Sequence, residues 1–143
     1  MIFAIAEPLR PRAVPFFDAP RPAAGFPSPA QDYIEGQLDL NEHLIERPAS
    51  TFIVKISGDS LILAGIHSGD LAIVDRSITP RSGHIVVAVM YGELLVKRLR
   101  RVLGKIWLDP DTDDPRYQPI DVPEDSAFEI WGVVKNTIRN HLV

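Results

Sequence analysis

A serine hydroxyl lies at a tight corner of the stretch KISGDSLILAGIHSGDLAIVD, where Ser60 follows Gly58 and Asp59 and precedes a short apolar run. A serine attacks a carbonyl only when a neighbouring base removes its proton. Histidine is the common base, and the chain has four of them, His43, His67, His84 and His141. None has a spacing that predicts a Ser-His-Asp triad, although triads assemble in space rather than in sequence. His67, beside a Ser-Gly-Asp turn, is better explained as a solvated turn residue.

Lys97 is a second candidate for the base. In the segment ELLVKRLRRV, the side chains of a strand would alternate between two faces. Lys97 then shares a face with Leu95 and Leu99, whereas Arg98 and Arg100 point the other way. An amine in an apolar row is desolvated, which lowers its pKa and can leave it neutral beside a hydroxyl. The alternative is that Lys97 buries only its stem and keeps its charged head in water.

Composition narrows the classes of protein to consider. The chain has 143 residues, is 45% hydrophobic and carries a formal net charge of -4, which favours one globular domain and argues against a protein that coats nucleic acid. It has no cysteine, which excludes disulfides and thiolate chemistry. Neither an HExxH motif nor a dense His/Asp/Glu cluster is present, so we expect no metal and no cofactor.

Neither export nor a membrane anchor is expected. The apolar run at the start, residues 1–6, is shorter than the roughly 7–15 residues of a signal-peptide core. No later stretch approaches the ~18 apolar residues that span a bilayer. The sequence therefore predicts a cytoplasmic protein.

The first thirty residues hold seven of the thirteen prolines, which predicts an extended arm, because proline removes a backbone donor and blocks helix interiors. Such an arm cannot hold a helix-turn-helix, so we expect no sequence-specific binding of DNA. Next, SPAQDYIEG predicts a short helix with Ser28 as N-cap and Gly36 as its end. NEHLIERP predicts a further helical turn.

From Thr51 onward the pattern predicts strands and turns. The predicted strands begin at Thr51 and continue with residues 71–75, 84–90, 93–102, 105–108 and 127–138. The dipeptide Tyr91-Gly92 marks a hairpin between two of them. Closely spaced strands with short turns predict a mostly β, antiparallel and partly closed fold with an extended N-terminal arm and one or two short helices.

Three ordered blocks, SGDSLILAGIHSGDLAIVD, SGHIVVAVMYGELLVKRL and WGVVKNTIR, resemble the LexA/UmuD family of self-cleaving Ser-Lys peptidases. The similarity extends from about Gly25 to the C-terminus. It implies that Ser60 is the nucleophile and Lys97 its base. Two positions depart from the family pattern: Leu61 replaces a methionine, which conserves volume, and His84 replaces an aspartate.

The resemblance also gives the arm a meaning. The segment AAGFPSPAQDYIE is similar to the cleavage segment of the family, which implies a scissile bond between Ala24 and Gly25. Backbone N–H groups at the corner, those of Asp59 and Ser60, would hold the oxyanion. The implied organisation is a cleavable arm at 1–24, a linker with short helical turns at 25–50 and a Ser-Lys peptidase β-domain at 51–143.

The lack of a DNA-binding head makes the chain resemble UmuD-type members of the family. The resemblance implies a homodimer of the bacterial SOS response to DNA damage, which cleaves itself when it meets a RecA–single-stranded-DNA filament. The truncated form would then join a UmuC-type polymerase in translesion synthesis. Two alternatives stay open: a non-catalytic module that docks a polymerase or filament, with a vestigial dyad, and a headless peptidase related to phage repressors.

Two further segments have simpler explanations. KRLRR, residues 97–101, resembles a nucleic-acid-binding patch, but in an acidic chain it is better explained as a solvated strand face. DPDTDDPRYQPI places aspartates at positions one, three and five of a calcium loop. It fails as an EF-hand because Asp114 stands where glycine is needed and Ile120 where glutamate is needed.

Overall fold

The computed structural model describes residues 12–17, 34–124 and 126–142. They belong to two compact units, one within Met1–Glu46 and the other within Arg47–Val143, and each is described by itself. None of the helices in these ranges has the length and apolar character needed to cross a membrane.

The first unit contains a two-stranded antiparallel sheet, β1 (Ala13–Phe17) and β2 (Ile34–Asp39), and a short helix, α1 (Leu40–Leu44). Asp39 caps the helix, because its Oδ1 accepts a hydrogen bond from the Asn41 amide at 2.9 Å. The helical turn predicted at NEHLIERP is therefore confirmed. The extended conformation predicted for the proline-rich arm is observed in β1.

The helix predicted from Ser28 to Gly36 is wrong at its C-terminal end. Residues 34–36 belong to β2, and residues 28–33 lie outside the described residues. Gly36, expected to end a helix, lies inside a strand opposite Phe16. The β-branched and aromatic residues of AVPFF favour a strand, and pairing with this distant segment overrides the local capping signals.

The second unit is a seven-stranded antiparallel sheet with the strand order β3-β4-β9-β5-β6-β7-β8. Its strands are β3 (Thr51–Lys55), β4 (Leu71–Asp75), β5 (Ile85–Met90), β6 (Glu93–Val102), β7 (Lys105–Asp109), β8 (Ile120–Val122) and β9 (Phe128–Ile138). The mostly antiparallel β-fold is confirmed, and every predicted strand is present. β3 and β8 are the two edges, so the sheet does not close into a complete barrel. β8, only three residues long, was not predicted.

Two tight turns connect the central strands. Tyr91 and Gly92, with φ of 52° and 78°, join β5 to β6, which confirms the predicted hairpin. Leu103 and Gly104, with φ of 50° and 80°, join β6 to β7 in the same way. Positive φ at both central positions is typical of the turn whose twist matches that of paired strands.

The sheet is buried on both faces at its centre, in β5. Val86, Val87 and Ala88 in β5 are all fully buried, and they alternate between two apolar clusters. The first cluster consists of Ile56, Leu61, Ile66, Ala72, Val74 and Val87. The second consists of Val86, Ala88, Leu99, Leu108, Val122 and Val133. Because three members of the first cluster come from residues 56–66, that connecting segment is packed against the sheet and its conformation is fixed.

A buried ion pair ties the end of β9 to the turn before β4. The Asp70 side chain, 2% exposed, accepts two hydrogen bonds from the Arg139 guanidinium, both at 2.8 Å, and one from the His67 amide at 2.9 Å. These bonds, above all those from Arg139, lower the pKa of Asp70 from 3.8 to about 2, against the opposing effect of burial. Arg139 also donates to the Gly65 carbonyl at 2.7 Å.

We expect Asp70→Asn to lower the free energy of unfolding at pH 7 by about 2 kcal/mol, because charge-assisted hydrogen bonds to a buried group are lost. The folded-state pKa of Asp70 lies below its unfolded value. Its contribution is therefore complete above pH ~4 and lost as the pH falls towards 2. Urea unfolding at pH 7 and at pH 2.5 measures both effects, and the difference between the two proteins should shrink in acid.

Asp114→Asn is the matched control, because Asp114 pairs with Arg116 at the surface, where an ion pair contributes at most ~1 kcal/mol. A loss at Asp70→Asn no larger than that of the control would contradict a structural role for the buried pair.

Candidate active site

Two Ser-Gly-Asp turns, residues 57–59 and 68–70, hold the corner at Ser60 together. The Gly58 amide donates to Ser68 Oγ at 3.1 Å, and the Ser68 amide donates to Asp59 Oδ1 at 3.2 Å. Gly58 has a φ of +86°, a left-handed conformation that glycine adopts without strain. The conformation of the corner is therefore fixed by hydrogen bonds between two copies of the tripeptide Ser-Gly-Asp, and this repeat is visible in the sequence.

Asp111, in the segment between β7 and β8, supports the same corner from a distant part of the chain. Its amide donates to the Ser60 carbonyl at 2.7 Å, and its carbonyl accepts from the Leu63 amide at 2.9 Å. Ser60 itself is buried, with 8% of its surface exposed. The nucleophile candidate is thus held rigidly and has restricted access to water.

Lys97 reaches this serine from β6. Its Nζ lies 2.6 Å from Ser60 Oγ. On the strand it pairs with Val86, which is fully buried, and its same-face neighbours Leu95 and Leu99 pack into the second cluster. Lys97 is half-buried, and desolvation lowers the pKa of its amine from the ordinary value of 10.5. The alternative in which the charged head extends into water is not the observed arrangement.

The backbone of the corner also presents unused donors. The Gly58 amide is occupied by Ser68. In the described part of the chain, the amides of Asp59 and Ser60 donate no hydrogen bond. Two adjacent free N–H groups beside a serine hydroxyl can stabilise a developing oxyanion.

A cavity of about 190 Å³ opens beside the Ser60 and Lys97 side chains, between residues 54–61 and residues 94–97. A larger one, about 550 Å³, lies at the opposite edge of the sheet. There the Ser126 hydroxyl donates to the Pro123 carbonyl at 2.7 Å rather than to an amine. The smaller cavity is therefore the better candidate for the active site, because it contains the Ser60–Lys97 pair, although the other cavity is larger.

In the described residues, none of the four histidines forms a hydrogen bond with the Ser60 hydroxyl. The His67 amide donates to Asp70, and Nδ1 of His84 accepts from the Arg81 amide at 3.1 Å. Within the described ranges, Lys97 is the one hydrogen-bonding partner of the Ser60 hydroxyl.

Two arginines of the basic run in β6 form ion pairs with aspartates. Arg98 lies 3.3 Å from Asp111, and Arg100 lies 2.7 Å from Asp109. The Arg100 guanidinium also stacks 4.3 Å from the ring centre of Trp107. The interpretation of KRLRR as an ordinary strand face, rather than a nucleic-acid site, agrees with these pairs.

Sequence reasoning missed Tyr117, whose side chain lies close to Lys97 and to Gly58 in the corner before Ser60. The Tyr117 ring centre lies 5.5 Å from Lys97 Nζ. Its hydroxyl lies 3.5 Å from where a Cβ on Gly58 would stand. Both Asp111 and Tyr117 come from residues 109–120, whose sequence indicated only an incomplete calcium-loop pattern. The predicted cleavage site, Ala24 and Gly25, lies outside the described residues.

Comparisons with known proteins identify the family of the chain. Residues 15–135 match the family described as Peptidase S24-like. The chain is 39% identical to the protein MucA of Salmonella typhimurium over 142 residues, 99% of this chain and 95% of MucA. It is 46% identical to ImpA of Shigella flexneri over 121 residues, 85% of this chain and 81% of ImpA. It is 48% identical to SamA of Salmonella typhimurium over 128 residues, 90% of this chain and 86% of SamA. The chain therefore belongs to the S24-like peptidases, as a UmuD-like member of the LexA/UmuD family.

Proposed function

We propose that this protein is a self-cleaving serine peptidase of the bacterial SOS response, with Ser60 as nucleophile and Lys97 as general base. The observation that carries the proposal is the distance of 2.6 Å between Lys97 Nζ and Ser60 Oγ. It lies within the reach required of a nucleophile and its base. Membership of the S24-like family supports the same chemistry.

The proton transfers follow from the environment of Lys97. Its neutral amine takes the Ser60 proton as the oxygen attacks the Ala24 carbonyl, and the resulting ammonium protonates the Gly25 nitrogen as the peptide bond breaks. Water then hydrolyses the ester between Ser60 and Ala24, again with the amine as base. The free amides of Asp59 and Ser60 support the assignment of the oxyanion site.

The substrate proposed is the chain's own Ala24–Gly25 bond, in the same molecule or in a dimer partner. A cavity of about 190 Å³ suits small residues at the bond that is cut. It lies beside β3, whose outer edge pairs with no other strand among the described residues and whose backbone groups can pair with an extended peptide. Flanking prolines keep such a segment extended, which reduces the entropy lost on binding.

The biological setting is part of the same proposal. The UmuD-like relatives support a role in the SOS response. We propose that the chain forms a homodimer, that a RecA–single-stranded-DNA filament accelerates cleavage, and that the product 25–143 joins a UmuC-type polymerase for translesion synthesis.

Incubation of the purified protein alone at rising pH tests the proposal. We expect the rate of cleavage to rise about tenfold per pH unit while the Lys97 amine is mostly protonated, and to level off once it is neutral. Because burial lowers the Lys97 pKa, the plateau should begin below the ordinary value of 10.5. Mass spectrometry of the products should find residues 1–24 and 25–143.

A protein that stays intact at every pH, with and without a filament, would contradict the peptidase proposal. The non-catalytic docking module would then be the better explanation. Cleavage whose rate does not change with pH at any point from 5 to 11 would instead contradict the assignment of lysine as the base.

A further inference from the structure

The segment between β7 and β8 is hydrogen-bonded to the corner at Ser60. Asp111 fixes its first half, through backbone bonds to Ser60 and Leu63 and an ion pair with Arg98. Tyr117 follows in the second half, where its amide donates to the Asp114 carbonyl at 3.1 Å. The tyrosine is therefore presented by a segment that is already attached to the nucleophile.

The Tyr117 side chain lies close to the Lys97 amine and to Gly58, which precedes Ser60 in the corner. Its ring centre lies 5.5 Å from Lys97 Nζ, and its hydroxyl reaches the Gly58 side of the corner. The ring is partly buried, as is Lys97. The ring therefore covers part of the surroundings of the amine.

Two effects of the ring on the amine oppose each other. The ring face attracts the charged ammonium, whereas exclusion of water favours the neutral amine. At 5.5 Å the separation is close to the limit of about 6 Å for a cation–π interaction, so the attraction is weak. Exclusion of water shifts an amine's pKa by several units when burial is complete, and by less at the half-buried Lys97. We expect even this partial exclusion to outweigh the weak attraction, so that Tyr117 favours the neutral amine.

Other charged groups lie in the cleft or near it, and none of them offers Lys97 an ion pair. They are Lys55 on β3, Asp59 in the corner, Asp111 in the segment between β7 and β8, and Arg98 on β6. The carboxylate of Asp59 accepts from the Ser68 amide, and that of Asp111 pairs with Arg98. Burial is the cause that lowers the Lys97 pKa.

We propose that Tyr117 is a positioning residue, whose ring shields the Lys97 amine from water and holds it against Ser60. Its effect on cleavage rests on the function proposed above. Its effect on the amine itself does not, because the amine can be titrated in a protein that never cleaves.

The kinetic test compares Tyr117→Ala and Tyr117→Phe with the wild type across pH. We expect the alanine variant to shift the midpoint of the rate–pH profile upward by about one unit, which is about a tenfold loss of rate below the midpoint that is regained at high pH. Tyr117→Phe keeps the ring and should keep the wild-type midpoint. Gln118→Ala, an exposed neighbour, is the control and should change neither rate nor midpoint.

A direct titration separates this inference from the proposed function. The chain has four lysines, so the ¹³Cε signal of Lys97 can be assigned by its loss in Lys97→Met. It is followed against pH in Ser60→Ala and in Ser60→Ala with Tyr117→Ala. Shielding predicts a higher midpoint in the second protein. If Tyr117→Ala does not fold, Tyr117→Val, which also leaves most of the ring's volume open, takes its place.

The outcomes are distinguishable. An unchanged Lys97 midpoint without the ring overturns the inference, even if the wild type cleaves itself. A raised midpoint in a protein that never cleaves supports shielding and overturns only the proposed function. A rate loss that is equal at every pH would assign Tyr117 a purely structural role and would also overturn the inference.

Discussion

We expect Lys97→Ala to abolish the proposed self-cleavage, with a loss of about 1000-fold or more at neutral pH, because no other base in the described residues contacts the Ser60 hydroxyl. Ser60→Ala should have an equal effect, since the two groups would act as one unit. Removal of both should therefore be no worse than removal of either. The measurement is the rate at which the product 25–143 forms, from pH 7 to pH 10.

The matched variant for this prediction is Lys97→Met, which keeps the apolar stem and removes only the amine. It should be as inactive as Lys97→Ala, and at least as stable as the wild type, because a half-buried amine no longer has to be desolvated. His67→Ala and His84→Ala should cleave normally, since neither imidazole forms a hydrogen bond with the Ser60 hydroxyl in the described residues. Loss of cleavage in a histidine variant, with Lys97→Ala still active, would show that the dyad is wrongly assigned.

Gly25→Trp should block processing at the proposed bond by about 100-fold or more. A cavity of about 190 Å³ does not accommodate an indole together with the backbone that must enter it. Displacement of the scissile carbonyl by even ~1 Å from the nucleophile is enough for a loss of that size. Mass spectrometry after incubation at alkaline pH is the measurement.

Gly25→Ala is the control for that variant, because it adds a single methyl group and should slow cleavage far less. The Lys97 titration should be identical in both variants, since neither changes the site itself. Release of a fragment of another length from Gly25→Trp at the normal rate would place the scissile bond elsewhere in the arm. Release of residues 1–24 at the normal rate would contradict the argument that the cleft admits only small residues.

The central strands could be predicted because their signals are local. In β4, β5 and β6, runs of β-branched residues end at turn residues, and the dipeptide Tyr91-Gly92 fixes one hairpin. β1 and β2 could not be predicted in this way, because each is stabilised by a partner about twenty residues away. β8 is too short for any periodicity to be visible.

The residues of the site also divide into those with a local sequence signal and those without one. Ser60 was identified from the tight turn before it, and Lys97 from alternation along β6 together with the family resemblance. Asp111 and Tyr117 contact the site from about fifty residues beyond the serine, where neither motif nor periodicity indicates proximity. The repeated Ser-Gly-Asp tripeptide was the one local signal that could have revealed how the corner is held.

The pairing of β1 with β2 means that hydrolysis and separation are different events. The proposed cut falls in the connection between these strands, so one product carries β1 and the other carries β2. Their backbone hydrogen bonds survive the chemistry, but the two partners are no longer tethered, and their effective concentration falls to that in free solution. A two-stranded sheet is only marginally stable by itself. After the proposed cut, the peptide that carries β1 would therefore dissociate when the protein is dilute. At high protein concentration a larger fraction of it would stay paired with β2.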